Sequence, residues 1–136
     1  MKLVRIAKLR WEVLAVCDHR GHCPVTDFLT DLKGTSYQIA AAEVFELLLN
    51  RIPKAGPPRA EPLCKSLGHG LFEFRRQPKG KKLRVIWFYG GGAVIVCAVA
   101  FTKAERTPRT QIERARALQK AYLEDKRDEK IEISND

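Results

Sequence analysis

Residues 67–92 read LGHGLFEFRRQPKGKKLRVIWFYGGG, and the way this stretch folds decides the architecture. Aromatic and branched residues gather in two short runs, Leu71–Arg76 and Lys82–Tyr89, separated by RQPKGKK and closed by GGG. Runs of that length bounded by glycine-bearing turns predict an antiparallel hairpin. Residues 93–101, nine apolar residues in a row, supply a third strand and complete a meander. The same stretch is strongly basic. Between Lys65 and Arg84 stand seven cations (Lys65, Arg75, Arg76, Lys79, Lys81, Lys82 and Arg84) against one acid, Glu73.

Working outward toward the N-terminus, residues 10–16 predict a strand that residues 1–9 can extend, and residues 18–21 break it. Pro24 occupies the position of a first helical residue, and Val25, Phe28, Leu29 and Leu32 follow at helical spacing until Gly34. Ser36 caps a second predicted helix whose stripe is Ile39, Ala42, Phe45 and Leu49, widened by Leu48 and Ile52. Four prolines and a glycine in residues 53–62 predict a connector. Beyond the meander, Thr107 with Pro108, or Thr110 with Glu113, predicts the start of a last helix facing the core through Ile112, Ala115, Leu118, Gln119 and Tyr122. The expected fold is therefore α+β, in the order β-α-α-β-β-β-α, with two N-terminal helices packed on a curved antiparallel sheet. Residues 1–123 are expected to form a single domain, and residues 124–136 a charged, frayed tail.

Composition narrows the function. The chain has 136 residues, 45% hydrophobic and 30% charged, with a formal net charge of +9. That is a globular composition, and an excess of positive charge favours polyanionic partners. No apolar run reaches the length of a membrane span, and MKLVRIAKLRWEV does not read as a signal peptide. A cytoplasmic setting with reduced cysteines is expected for Cys17, Cys23, Cys64 and Cys97. CDHRGHC gathers Cys17, His19, His22 and Cys23, which are zinc-ligand types at a spacing that matches no familiar structural-zinc pattern. The GGG turn is no phosphate loop, because no Lys-Ser/Thr pair or helix follows it.

Four islands carry a family likeness. They are WEV with RGHCPVTDFL, LCKSLGHGLFEFR, LRVIWFYGGGAVIV and AFTKAERTPRTQIERARA, in order from about residue 11 to residue 123. Together they resemble the phage-related, HigB-like branch of the RelE/ParE superfamily of type II toxins. Cys23 stands where that family usually has a helix-capping serine, a change worth about 1 kcal/mol of helix stability. Ala104 replaces the second lysine of the family's Lys-Lys pair, and Arg106 replaces another lysine.

The resemblance implies a RelE-like fold and a metal-independent endoribonuclease that cuts ribosome-bound messenger RNA, without a cofactor. It also implies a cognate antitoxin with a helix-turn-helix domain. Cleavage of this kind uses the ribose 2′-hydroxyl as nucleophile. It needs a proton acceptor, a proton donor for the leaving 5′-oxygen, and cations for the phosphorane. Arginine suits the last task because its planar fork bridges two phosphate oxygens. Strand alternation sets Phe72, Phe74 and Arg76 on one face, with Glu73 and Arg75 on the other, open side. The expected catalytic residues are Arg75, Arg84, Lys103, His69 and Lys65. For Arg84 a cross-strand ion pair with Glu73 is the structural alternative. RNA-binding positions are Arg76, Lys79, Lys81, Lys82, Arg106 and Arg109, and Tyr89 is a candidate for stacking or proton donation. Two other readings stand beside this one: a degenerate relative that only binds RNA or protein, and a ParE-like inhibitor of DNA gyrase.

Overall fold

The computed structural model describes residues 1–8, 11–30, 64–76, 82–103 and 107–135, with the side chains of Ala7, Leu29, Thr30, Arg76, Lys82 and Lys103 outside that description. In chain order the elements are β1 (Lys2–Lys8), β2 (Glu12–Cys17), α1 (Pro24–Thr30), β3 (Cys64–Gly68), β4 (Leu71–Arg76), β5 (Lys82–Tyr89), β6 (Val94–Lys103), α2 (Arg109–Arg127) and β7 (Glu132–Asn135). All seven strands join one sheet in the order β3-β4-β5-β6-β2-β1-β7. Strands β3 to β6 form antiparallel pairs. Strand β2 then docks parallel to β6, and β7 parallel to β1.

Period-two alternation gives each face of this sheet its own core. Trp11, Val13, Ala15, Phe72, Phe74, Val85, Trp87 and Cys97 are buried on one face, together with Val25 of α1. Trp87 anchors that side, its ring 4.8 Å from Phe72 and 5.1 Å from Phe74. On the opposite face Leu14, Leu71, Ile86, Phe88, Val96, Val99 and Phe101 pack with Ala115 and Tyr122 of α2. Helix α2 is amphipathic at the spacing its sequence predicts, with Ile112 and Leu118 partly buried beside those two residues. A register shift in the β5–β6 ladder pairs Ile86 with Val99 but Trp87 with Cys97. That bulge lets Ala98 and Val99 both join the α2 face.

The expected architecture is overturned by this topology. Two N-terminal helices on an antiparallel sheet are replaced by a seven-stranded mixed sheet with two helices among the described residues. The N-terminal segment is a strand of its own, folded back antiparallel on β2. Residues 64–68, which local pattern assigns to no element, form an edge strand on β4. The expected frayed tail instead continues α2 to Arg127 and then adds β7 to β1. Each of these strands is short or charge-interrupted and takes its shape from a distant partner. The first predicted helix is present as α1, beginning at Pro24. The second, together with the proline-rich connector, lies outside the described residues. No helix among the described residues is long and apolar enough to cross a membrane.

Cys17 and Cys23, expected as thiols, are bonded to each other as a disulfide closing the loop from β2 to α1. Asp18 shapes that loop by accepting the backbone N–H groups of Arg20 and His22, at 2.8 and 2.9 Å. Those bonds favour its ionised form and hold its carboxyl below the usual carboxylate range. Cys64 and Cys97 are buried and form no disulfide among the described residues.

Where β5 turns into β6, the carbonyl of Gly90 accepts hydrogen bonds from Tyr122 Oη at 2.9 Å and Lys126 Nζ at 2.7 Å. These bonds fasten the C-terminal half of α2 to the sheet. A methyl group at Gly90 would lie 2.8 Å from Tyr122 Oη, 2.8 Å from Val94 Cγ1 and 2.9 Å from Val96 Cγ2. Gly90→Ala is expected to destabilise the fold by about 1–3 kcal/mol through overpacking, read as a lower urea midpoint at an unchanged slope.

Candidate functional site

The chemistry gathers around a carboxylate. Glu73 lies mid-strand in β4, on the α2 face and fully buried, which corrects the open setting expected for it. A carboxylate without water must be paired and hydrogen-bonded. Arg75 donates through Nε to Glu73 Oε1 at 2.9 Å, and Arg84 Nε lies 3.4 Å from the same oxygen. Thr107, just before α2, donates its hydroxyl to Oε2. Both carboxylate oxygens are thus engaged, from β4, β5 and the α2 approach.

Strand register explains why these groups meet. Arg75 sits directly opposite Arg84, which pairs in turn with Phe101. In the adjacent same-facing row, Lys65 is opposite Glu73, and Glu73 is opposite Ile86. On the other side of the Arg84 row, Lys82 pairs with Lys103 in the ladder. Lys65 is exposed on its edge strand.

The two arginines differ in what they can reach. Arg84 is only 5% exposed, and its Nη1 also donates to the Leu83 carbonyl at 3.0 Å. Burial lowers its pKa from the ordinary guanidinium value; Glu73 opposes that shift, while Arg75 adds to it. Arg75 keeps 28% of its side chain exposed, and its Nε is the atom held by Glu73. Two guanidiniums sharing one carboxylate leave net positive charge at the surface of the cluster. Such an arrangement favours an anion, and Arg75 is the member of the pair that solvent reaches.

Other sequence candidates fall elsewhere. His69 is exposed in the β3–β4 turn, in the left-handed region at φ 54° between two glycines that also have positive φ. From Leu71 to Arg75 the strand advances roughly 13 Å, and His69 lies beyond the far end, so it does not join the arginines. Arg109 is exposed and paired with Glu113 at 3.0 Å, a contact worth little. Lys79, Lys81 and Arg106 lie outside the described residues, as does Ala104, and the side chains of Arg76, Lys82 and Lys103 are not part of the described cluster. Tyr89 is on the opposite face of the sheet, among Trp11, Phe72 and Trp87. Burial, with Cys64 adding to it, pushes its phenol up to about 12, which makes it a poor proton donor near neutrality. Among the described residues no group of three or more His, Cys, Asp or Glu could hold a metal ion.

From the sequence, Glu73 has only the role of an ion-pair partner and Thr107 only that of a helix cap, whereas both belong to the cluster. Glu73 had a legible signal: it is the single acid among seven cations, on the strand face of Arg75. Thr107 had none, because its residue type predicts a helix cap. The structure shows no side-chain cap at the start of α2, which has Pro108 at the N-cap.

A seven-stranded mixed sheet thus carries, on its α2 face, two guanidiniums paired with one buried carboxylate. Residues 31–120 match the family model described as Phage derived protein Gp49-like (DUF891), a family of toxin-like proteins of the RelE/ParE type. The match covers about two thirds of the chain, and the chain belongs to this family. No curated protein matches it.

Glu73→Ala would remove the carboxylate that the buried Arg84 shares with Arg75, and a loss of about 3–5 kcal/mol is expected in urea unfolding. Tyr89 makes a separate prediction at alkaline pH. Its phenol stays protonated in the fold to about 12 but ionises near 10 when unfolded. The unfolded chain therefore binds fewer protons between those values, and stability falls as pH rises through that window. Absorbance titration at the phenolate band should show a component near 12 that Tyr89→Phe removes.

Proposed function

We propose that the chain is the toxin of a type II toxin–antitoxin pair, in the HigB-like branch, and that it cleaves messenger RNA on the ribosome. One observation carries the reading: two arginines share a single buried carboxylate, and the more exposed of them, Arg75, is held by its Nε while part of its side chain stays in solvent. Glu73 acts as a positioning residue. It fixes Arg75 so that little side-chain entropy is lost when a phosphate arrives.

In the proposed reaction the 2′-hydroxyl gives its proton to solvent water as its oxygen attacks the adjacent phosphorus, and the bond to the 5′-oxygen breaks. A 2′,3′-cyclic phosphate forms and the departing oxygen takes up a proton. Arg75 stabilises the charge gathering on the phosphorane oxygens. Lys65, opposite Glu73 on the edge strand, is the proposed donor to the leaving oxygen. Lys103 is the second lysine candidate, since the ladder sets it opposite Lys82, one row beyond Arg84. A cytoplasmic site of action and an antitoxin with a helix-turn-helix domain belong to the same proposal.

Burial of Arg84 favours a second reading, a relative that binds RNA without cutting it. At 5% exposure that arginine supports the fold and the field more than it touches a ligand. One experiment separates the two. The chain is expressed alone in cells, growth is followed, and RNA ends are mapped. Cleavage within translated codons with growth arrest is expected. Arg75→Ala should lower cleavage about 10²–10³-fold and relieve the arrest while the protein stays folded. RNA binding without new ends would favour the second reading, and undiminished cleavage by Arg75→Ala would remove that residue from the mechanism.

A further inference from the structure

Beyond the arginine cluster, the outer flank of α2 forms an open groove of about 560 Å³ against the β3–β4 turn. Gln119 pins the two walls by donating Nε2 to the His69 carbonyl at 3.0 Å. Arg116, Lys120, Leu123 and Arg127 line the groove at spacings of four, three and four residues, which places them along one face of the helix. Leu123 is 52% exposed, one of two exposed large hydrophobic residues among those described. Arg116 and Lys120 have no carboxylate partner among the described residues, and Arg127 holds only the exposed Asp128 at 3.5 Å.

We propose that this groove is a docking surface for an acidic amphipathic helix of a partner protein. Its carboxylates meet Arg116, Lys120 and Arg127, and its apolar side chains cover Leu123. The stripe from Arg116 to Arg127 runs roughly 16 Å, about three turns of a helix lying along it. Charge complementarity selects an anionic partner, and two features select protein over nucleic acid. An apolar side chain at the centre gives nothing to a phosphate backbone, and among the lining residues His69 alone has a ring on which a base could stack. Glu124 on the rim adds a repulsion that a continuous row of phosphates cannot avoid, whereas a peptide can place a neutral or basic residue there. This surface is separate from the Glu73 cluster, so it stands or falls independently of the nuclease reading.

The test uses the full chain and two labelled probes in fluorescence anisotropy. One is a designed fifteen-residue helix (roughly three to four turns) with leucines on one face and glutamates flanking them; the other is a single-stranded RNA of similar length. The glutamate peptide is expected to bind with an affinity that falls as salt rises. Leu123→Asp and the pair Arg116→Glu with Lys120→Glu should each weaken it at least tenfold, and Arg75→Ala should leave it unchanged. All of these positions are exposed or half-exposed, and circular dichroism of each variant confirms that the fold is kept. Absence of peptide binding, or binding that the groove variants do not weaken, overturns the proposal. So does loss of RNA binding in those variants with the peptide unaffected, which would assign the groove to nucleic acid.

Discussion

A carboxylate without solvent is the constraint on which this molecule is organised. Glu73 cannot be ionised inside the sheet unless cations and a hydrogen-bond donor reach it. They arrive from three separate parts of the chain: its own strand, the neighbouring strand and the segment leading into α2. That requirement fixes the β4–β5 register, because a slip of one residue would carry Arg84 to the face occupied by Trp87 and Phe74. It also fixes where the last helix begins. The hydroxyl that could cap α2 is spent on the carboxylate, and the helix starts from Pro108 without a side-chain cap.

Helix α2 therefore has two attachments of different character. Near its start Thr107 holds the polar cluster, and near its end Tyr122 and Lys126 hold the carbonyl of Gly90. Between them Ala115 is buried against the apolar centre of the sheet. The face turned away from the sheet carries Arg116, Lys120, Leu123 and Arg127, with Glu113 and Glu124 exposed beside them. The result is a helix that closes the core on one side and offers a separate charged surface on the other.

Much of this was legible in the sequence, and the losses have physical causes. The central meander, α1 beginning at Pro24 and the inward stripe of α2 all follow from local periodicity and turn residues, and all three are present. The mixed character of the sheet was not legible. Parallel contacts between β2 and β6, and between β1 and β7, join segments far apart in the chain and leave no local mark. Residues 64–68 carry too little apolar patterning to announce a strand, and β7, with four exposed residues, has no buried face to announce. At the site, alternation correctly set Glu73 and Arg75 on the face opposite the phenylalanines. Burial was the error, since a lone acid among cations reads as solvated until the segment after β6 returns to cover it. His69 was attractive by residue type alone, and the sheet places it at the wrong end of β4.

The strand order has a practical corollary for physical measurement. β7 and β3 are the two margins of the sheet, six ladders apart, or roughly 29 Å at the usual ~4.8 Å spacing. That span suits resonance energy transfer. A fluorophore on β7 and another on the margin beside Lys65 would make the sheet its own ruler, reporting on any distortion of the cationic margin from a vantage point remote from it.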